Sequence, residues 1–135
     1  MDVTNDRACF VCGPENSTGL RAVFFSDPER LESSCSIAIP QRFQGWTEIV
    51  HGGIIASLLD EACIYAGRSL AAALVTAELA VRYKRPLKTG QEALIQGVVV
   101  EKKRKLLKVR ATLKVEGEVY AEADAKVFLL DSHAG

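Results

Sequence analysis

The sequence has no excess of either charge, since 17 basic side chains balance 17 acidic ones and the formal net charge is +0. A chain without a global electrostatic field lacks the long-range attraction that draws proteins to nucleic acids and anionic membranes. With 48% hydrophobic and 25% charged residues in a length of 135, the composition is typical of a globular domain. We therefore expect a single domain over residues 1–135, with no nucleic acid and no membrane as a partner.

Long apolar runs are also missing. A membrane-spanning helix needs roughly 20 apolar residues in a row, and the longest apolar stretches are interrupted by Asp60, Glu61 and Arg68. Residues 1–8 are polar and charged, without the apolar centre of a secretory signal. These features predict a soluble, cytoplasmic protein.

Metal ligands are scarce. Cys9 and Cys12 form a C-x-x-C pair, which could supply half of a zinc site or a redox dithiol. A structural zinc site needs about four ligands, and the sequence has no second C-x-x-C pair and only 2 histidines. We expect reduced cysteines, with Cys35 and Cys63 in the core, and neither a metal nor a cofactor.

The apolar pattern predicts one largely buried helix that ends near Leu70. Its apolar side chains cover about half of a helical wheel: Ile54, Ile55, Leu58, Leu59, Ala62, Cys63, Tyr65 and Ala66. Two strands are predicted before the helix, at residues 20–25 and 31–39, and a loop over residues 41–50 leads into it.

Three or four long strands are predicted after the helix, at residues 75–83, 93–100, 107–115 and 119–129. The charged segment 101–105 is expected to form the turn within this group. In the first of these strands, Thr76 falls on the face opposite Val75, Leu79 and Val81. Tight connections indicate antiparallel pairing, so the fold class is α+β, with a helix wrapped by a curved antiparallel sheet.

The most informative motif is His51-Gly52-Gly53, at the start of the predicted helix. The first amides of a helix have no partners inside it and can bind an anion or a developing oxyanion. The two glycines are also explained by a tight junction between loop and helix. His51 is a candidate base, but no nucleophile motif such as G-x-S-x-G occurs, which favours a structural hydrogen-bonding role.

Two adjacent acids on the helix differ in their expected environment. Asp60 lies at the border of the apolar arc, where an unpaired carboxylate is costly to bury. It is therefore a candidate general base or nucleophile, or else a capping or salt-bridged group on a solvated face. Glu61 lies about 100° further round the helix and shares a face with Arg68. We interpret Glu61 as a surface or interface ion-pair residue.

Basic residues are concentrated at predicted strand ends and turns, at Lys84, Arg85, Lys88 and the run 102–105. Such positions usually hold solvated charges, but they could also hold the phosphates of a large anionic substrate.

Residues 51–62, HGGIIASLLDEA, resemble the helix motif of the hotdog-fold thioesterases of the phenylacetic-acid-pathway (PaaI-like) type, in which an acid follows the HGG histidine after nine positions. Residues 75–86, and the opening CFVCGP at 9–14 with Gly19-Leu20, are similar to further parts of the family. The resemblance covers nearly the whole chain. It implies a hotdog fold of five to six antiparallel strands around the helix, and metal-free hydrolysis of acyl-coenzyme A by a homodimer or tetramer.

Carried over by position, the resemblance implies that Asp60 is the catalytic carboxylate and that the Gly52 amide polarises the thioester carbonyl. Thr76 matches a Ser or Thr that assists the attacking water in some members. Many relatives have Asn or Gln six residues before the HGG histidine, where this chain has Gly45, with Gln44 adjacent. The candidate substrate-binding residues are Gln44, His51, Gly53, Glu61 and Arg85.

The spacing of Gly52 and Asp60 bears on the assembly. Eight residues along a helix correspond to about 12 Å, so both groups of one chain cannot contact one thioester carbon. If both act on one substrate, the carboxylate comes from a second subunit and the site lies at a two-fold interface. Alternative functions are a non-catalytic acyl-binding hotdog protein, a hotdog dehydratase, whose wide His-to-acid spacing and Pro-Gly segment are missing, and a zinc or redox protein.

Overall fold

The computed structural model describes residues 3–130 of the chain. The strands are β1 (Phe25–Asp27), β2 (Glu32–Ala38), β3 (Ala73–Tyr83), β4 (Glu92–Lys103), β5 (Leu106–Val115) and β6 (Glu118–Leu130). In this part of the chain the one α-helix, α1 (Gly52–Ala66), lies between β2 and β3, and short 3-10 helices occur at Gln41–Phe43 and Arg68–Leu70.

The six strands form one antiparallel sheet in the order β1-β2-β4-β5-β6-β3. The edge strands are therefore β1 and β3. Helix α1 packs across one face of the sheet and contacts all six strands. This arrangement confirms the α+β hotdog fold, in which a curved antiparallel sheet wraps one helix. Over residues 3–130, no helix is long and apolar enough to cross a membrane.

The core lies between α1 and the sheet. The helix buries its apolar arc, made of Ile55, Leu58, Leu59, Ala62, Cys63 and Ala66. Strand β4 approaches the helix closely at Gly97, where a Cβ would lie 2.4 Å from the Ala62 carbonyl oxygen. The prediction that Cys35 and Cys63 are core residues is confirmed, because both are buried.

The predicted strand at residues 20–25 is wrong, since β1 only begins at residue 25. The amides of Leu20 and Ala22 instead donate to the carbonyls of Phe10 and Val11, both at 2.8 Å. Arg21 between them has a φ of 51°, a left-handed conformation that interrupts an extended chain. The apolar pattern at residues 20–25 therefore reflects packing against the N-terminal segment and not a strand of the sheet.

The helix and one turn also differ from their predicted bounds. The apolar pattern starts only at Ile54, because glycines do not contribute to it, whereas helix α1 begins at Gly52. The helix ends at Ala66 rather than near Leu70. At Gly67 a Cβ would lie 2.5 Å from Leu107 Cδ1, so the chain passes β5 closely as it leaves the helix. The predicted turn 101–105 is shorter, since β4 continues through residue 103.

A β-bulge changes which side chains of β3 face the helix. The pairing register of β3 with β6 shifts between Thr76 and Glu78, because Ala77 is an extra residue on β3. Thr76 and Leu79 consequently both pair with buried residues of β6. The prediction that Thr76 lies on the face opposite Leu79 is therefore wrong, and Thr76 faces α1.

Candidate active site

His51 caps the start of α1. Its Nδ1 accepts a hydrogen bond from the Gly53 amide at 2.9 Å, and its backbone amide donates to the Phe43 carbonyl at 3.0 Å. The imidazole thereby satisfies one of the helix amides that have no partner within the helix. A Cβ on Gly53 would lie 3.1 Å from this Nδ1, so glycine leaves room for the cap. These contacts are those of a structural hydrogen-bonding group.

The Gly52 amide differs from its neighbour. It has no acceptor inside the helix, and outside the helix no acceptor within residues 3–130 bonds to it. The Gly52 carbonyl, in contrast, accepts a hydrogen bond from the Tyr83 hydroxyl at 2.7 Å, which fixes the first turn of α1. Of the two glycine amides, that of Gly52 is open to a substrate oxygen, whereas that of Gly53 is used by His51.

Asp60 lies at the contact between α1 and β3. Its Oδ1 accepts a hydrogen bond from Thr76 Oγ1 at 2.5 Å, and the side chain is half-buried. No lysine or arginine of the described chain forms an ion pair with Asp60. The bulge in β3 is what turns Thr76 towards this carboxylate. Asp60 therefore has one oxygen fixed by Thr76 and a second that can accept a proton.

A cavity of about 440 Å³, here called the entrance cavity, lies beside the start of α1. It is lined by Phe10, Arg42, Phe43, Gln44, His51, Gly53, Ile54 and Ser57. The structure thus brings together three of the predicted substrate-binding residues: Gln44, His51 and Gly53. The Gln44 side-chain oxygen accepts a hydrogen bond from the Glu48 amide at 2.9 Å, which orients its side chain. Sequence reasoning missed Phe10 and Arg42, because both lie in segments without a hydrophobic period.

Glu61 faces a second cavity of about 440 Å³, here called the thiol cavity, between the N-terminal segment and α1. Its lining includes Cys9, Cys12, Glu61, Tyr65 and Arg68. Cys9 Sγ lies 3.5 Å from Glu61 Oε2. Burial raises the pKa of the Glu61 carboxyl, as does the charge of Asp60, while hydrogen bonds from the two thiols oppose this rise. Burial also raises the pKa of the Cys12 thiol to about 11.

The prediction of a surface ion pair for Glu61 is wrong. Arg68 is not bonded to it, and its guanidinium instead lies 4.8 Å from the centre of the Tyr65 ring. Residues seven apart share a face only while a helix continues, and α1 ends at Ala66, before Arg68. Glu61 is half-buried under the N-terminal segment, with a thiol as its hydrogen-bond donor.

The structure does not bring Arg85 to either cavity of this chain. Its Nη1 lies 3.1 Å from Glu118 Oε2, and its guanidinium lies 5.8 Å from the centre of the Tyr120 ring. The adjacent Lys84 Nζ lies 3.5 Å from Glu122 Oε1. Both basic side chains are half-exposed and paired with acids of β6.

The sequence match to a known family covers the helix and most of the sheet. The family described as the thioesterase superfamily matches residues 47–122, more than half of the chain. The chain belongs to the thioesterase superfamily. The matched region includes the HGG motif, Asp60 and Thr76. No curated protein sequence shows significant similarity to the chain.

Several solved structures share this fold. A putative thioesterase related to phenylacetic acid degradation, from Ralstonia eutropha JMP134, is 20% identical, with a TM-score of 0.74 over 82% of this chain and 86% of that one. An Asn-to-Asp mutant of the phenylacetic acid degradation protein PaaI from Thermus thermophilus is 24% identical, with a TM-score of 0.72 over 78% and 90%. The protein smu.793 from Streptococcus mutans UA159, solved bound to acetyl CoA, is 22% identical, with a TM-score of 0.72 over 82% and 87%.

Proposed function

We propose that this member of the superfamily hydrolyses acyl-coenzyme A thioesters to a free acid and coenzyme A. The observation that carries the proposal is the pairing of two groups on α1: a carboxylate, Asp60, fixed by Thr76, and an open amide at Gly52. A base and an oxyanion donor are what hydrolysis of a thioester requires. The acetyl CoA bound to the Streptococcus mutans relative supports a coenzyme A thioester as substrate.

In the proposed reaction, Asp60 accepts a proton from a water molecule while the water oxygen attacks the thioester carbonyl carbon. Negative charge develops on the carbonyl oxygen and is stabilised by the Gly52 amide. Collapse of this intermediate breaks the carbon–sulfur bond, and the coenzyme A thiolate leaves and takes up the proton held by Asp60, which restores the carboxylate. Direct attack by the Asp60 carboxylate would instead give a mixed anhydride that water then hydrolyses. In both routes Thr76 orients the carboxylate.

The two reacting groups come from two subunits in this proposal. Gly52 and Asp60 lie on the same helix about 12 Å apart, at ~1.5 Å per residue, so one thioester cannot contact both in one chain. Strand β3, which carries Thr76, is an edge strand of 11 residues, and an exposed edge of this length is a surface for pairing with another chain. A homodimer joined beside β3, or a tetramer of two such dimers, would place Gly52 of one subunit opposite Asp60 of the other.

The entrance cavity is the proposed place for part of the substrate. Phe10, Phe43 and Ile54 form its apolar wall, and Arg42 supplies a positive charge for the phosphates of coenzyme A. Gln44 and His51 provide polar contacts on the same wall. Arg85 would contact the phosphates only where a second subunit brings it to the site.

The test is a thiol-release assay on a panel of acyl-coenzyme A esters, comparing the wild-type protein with Asp60→Asn. The substitution keeps the shape of the side chain but removes the base, so kcat should fall by at least ~100-fold. Glu101→Gln is the control, because Glu101 forms an exposed pair with Lys108 at 3.6 Å. Its kcat should stay within about two-fold of wild type, as expected for loss of a surface ion pair.

Glu61→Gln measures whether the neighbouring acid shares the chemical step. Its loss of kcat should be far smaller than that of Asp60→Asn, because Glu61 faces the thiol cavity rather than Thr76. Equal losses would show a shared carboxylate role, and a large loss in Glu61→Gln alone would assign the reaction to Glu61. Binding of acyl-coenzyme A without any thiol release would show a non-catalytic binding protein.

A further inference from the structure

Three side chains that the proposed hydrolysis does not use meet in the thiol cavity. The Sγ atoms of Cys9 and Cys12 and a carboxylate oxygen of Glu61 all lie within 4.8 Å of one another. Cys9 and Glu61 are 52 positions apart in the sequence. The fold therefore assembles two thiols and one carboxylate at a single point, which the spacing of the C-x-x-C pair alone does not show.

The distances fit a tetrahedral metal ion. With zinc–sulfur bonds of about 2.3 Å and zinc–oxygen bonds of about 2.0 Å, tetrahedral angles place a sulfur and an oxygen ligand about 3.5 Å apart. The observed distance from Cys9 Sγ to Glu61 Oε2 is 3.5 Å. A zinc ion therefore fits between Cys9 and Glu61 as they stand, and the other two separations, within 4.8 Å, would close to the tetrahedral distance on binding.

The turn that carries the two cysteines is closed by the backbone. The Gly13 amide donates to the Cys9 carbonyl at 2.8 Å, which brings residues 9 and 12 side by side. A Cβ on Gly13 would lie 2.3 Å from the Cys9 backbone nitrogen, so this turn requires glycine. The backbone thus holds both thiols over Glu61 before any ligand binds.

The groups around the cluster suit a bound cation with thiolate ligands. Tyr65 lines the same cavity as the cluster, and polar groups around a metal site help to orient its ligands. Two thiolates, one carboxylate and one Zn²⁺ carry a combined charge of about −1, which Arg68 in the same cavity wall offsets. Within residues 3–130, Glu61 has no ion pair that a metal would have to displace.

We propose that Cys9, Cys12 and Glu61 bind one Zn²⁺ per chain, with a water molecule from the thiol cavity as the fourth ligand. Thiolate ligands favour zinc over magnesium and calcium. Binding releases the two thiol protons to the solvent while two zinc–sulfur bonds and one zinc–oxygen bond form. The ion joins the N-terminal segment to α1 and does not contact Asp60, whose bonded partner is Thr76.

The test titrates reduced, metal-free protein with Zn²⁺ and with Co²⁺, which reports tetrahedral thiolate coordination through its absorption spectrum. We expect one ion per chain and thiolate-to-cobalt charge-transfer bands. Cys9→Ser and Cys12→Ser should each weaken binding by at least ~100-fold, and Glu61→Gln by at least ~10-fold. Asp6→Asn is the matched control with unchanged affinity, because Asp6 lines the same cavity but lies outside the cluster.

Two results would overturn the proposal. One is a wild-type cobalt spectrum without charge-transfer bands, a measurement that does not depend on the folding of any variant. The other is a Cys9→Ser/Cys12→Ser double variant that binds Zn²⁺ and Co²⁺ as tightly as the wild type. The sulfur ligands would then be the remaining cysteines, Cys35 and Cys63. Circular dichroism of each variant shows whether a loss of binding accompanies loss of the fold. Neither result concerns thioester hydrolysis, which is measured separately.

Discussion

The entrance cavity and the thiol cavity have similar volumes but are built from the sequence in different ways. In the entrance cavity the polar contacts of His51 and Gln44 are local, since His51 bonds to Gly53 and Gln44 bonds to Glu48. In the thiol cavity the defining contact joins Cys9 to Glu61, 52 positions later. A site formed by residues close together in the sequence can be recognised as a motif. A site formed by residues far apart in the sequence cannot, because its residues are scattered along the chain.

This difference explains which predictions about the site agree with the structure. The HGG motif marks a helix start because glycine and a capping histidine are local requirements of that geometry. For Glu61, in contrast, the helical neighbours suggest a solvated face, and the sequence prediction of a surface position follows from them. The N-terminal segment, which folds over α1 and contributes Cys9, covers that face.

Among the variants that compare the two cavities, we expect the largest loss of activity from Gly52→Pro, at the start of α1. Proline is favoured at the first position of a helix and removes only an N–H, and His51 before it has the extended ψ of 133° that proline requires. Loss of the oxyanion donor should lower kcat by about 10²–10³-fold. Gly52→Ala is the matched control, because it keeps the N–H and its Cβ would lie 3.5 Å from Tyr83, an ordinary contact.

The same variant tests whether the site is shared. Co-expression of Gly52→Pro chains with Asp60→Asn chains should give heterodimers in which one of the two sites is intact. With random pairing, about a quarter of the wild-type activity should return. Activity that stays at the level of the two parent variants in isolated heterodimers would place Gly52 and Asp60 in the site of a single chain.

The element order and the apolar arc of α1 were predicted from the sequence because hydrophobic periods of 2 and 3.6 residues are local. The face of β3 on which Thr76 lies was not predicted, because the bulge at Ala77 depends on the pairing register of β3 with β6. No glycine or proline marks that position. The role of Thr76 came only from family resemblance, and its contact with Asp60 required the structure.

A smaller effect is expected at this contact, in Thr76→Val. Valine keeps the shape of threonine but removes the hydroxyl that donates to Asp60 Oδ1. A hydrogen bond to a charged group contributes ~1.5–3 kcal/mol, so misorientation of the carboxylate should lower kcat by about 10-fold, with KM nearly unchanged. Thr76→Ser should restore kcat, because serine can donate the same bond. A Thr76→Ser variant as slow as Thr76→Val would show that the hydrogen bond alone does not account for the loss, because serine keeps the hydroxyl and lacks only the methyl group.

The smallest effect is expected at Phe10, which lies within the cysteine turn and lines the entrance cavity. It lies between Cys9 and Cys12 in the sequence, yet its side chain lines the entrance cavity. Phe10→Ala removes apolar contact area from that cavity, and loss of about 1 kcal/mol of binding should raise KM by about five-fold while kcat stays constant.

Phe25→Ala is the matched control, since Phe25 is similarly exposed, at 68% against 51% for Phe10, and lies outside the entrance cavity. Steady-state kinetics on one hydrolysed thioester compare the two variants. Equal KM values for the two variants would show that Phe10 does not contact the substrate. The cysteine turn would then contribute only to the thiol cavity.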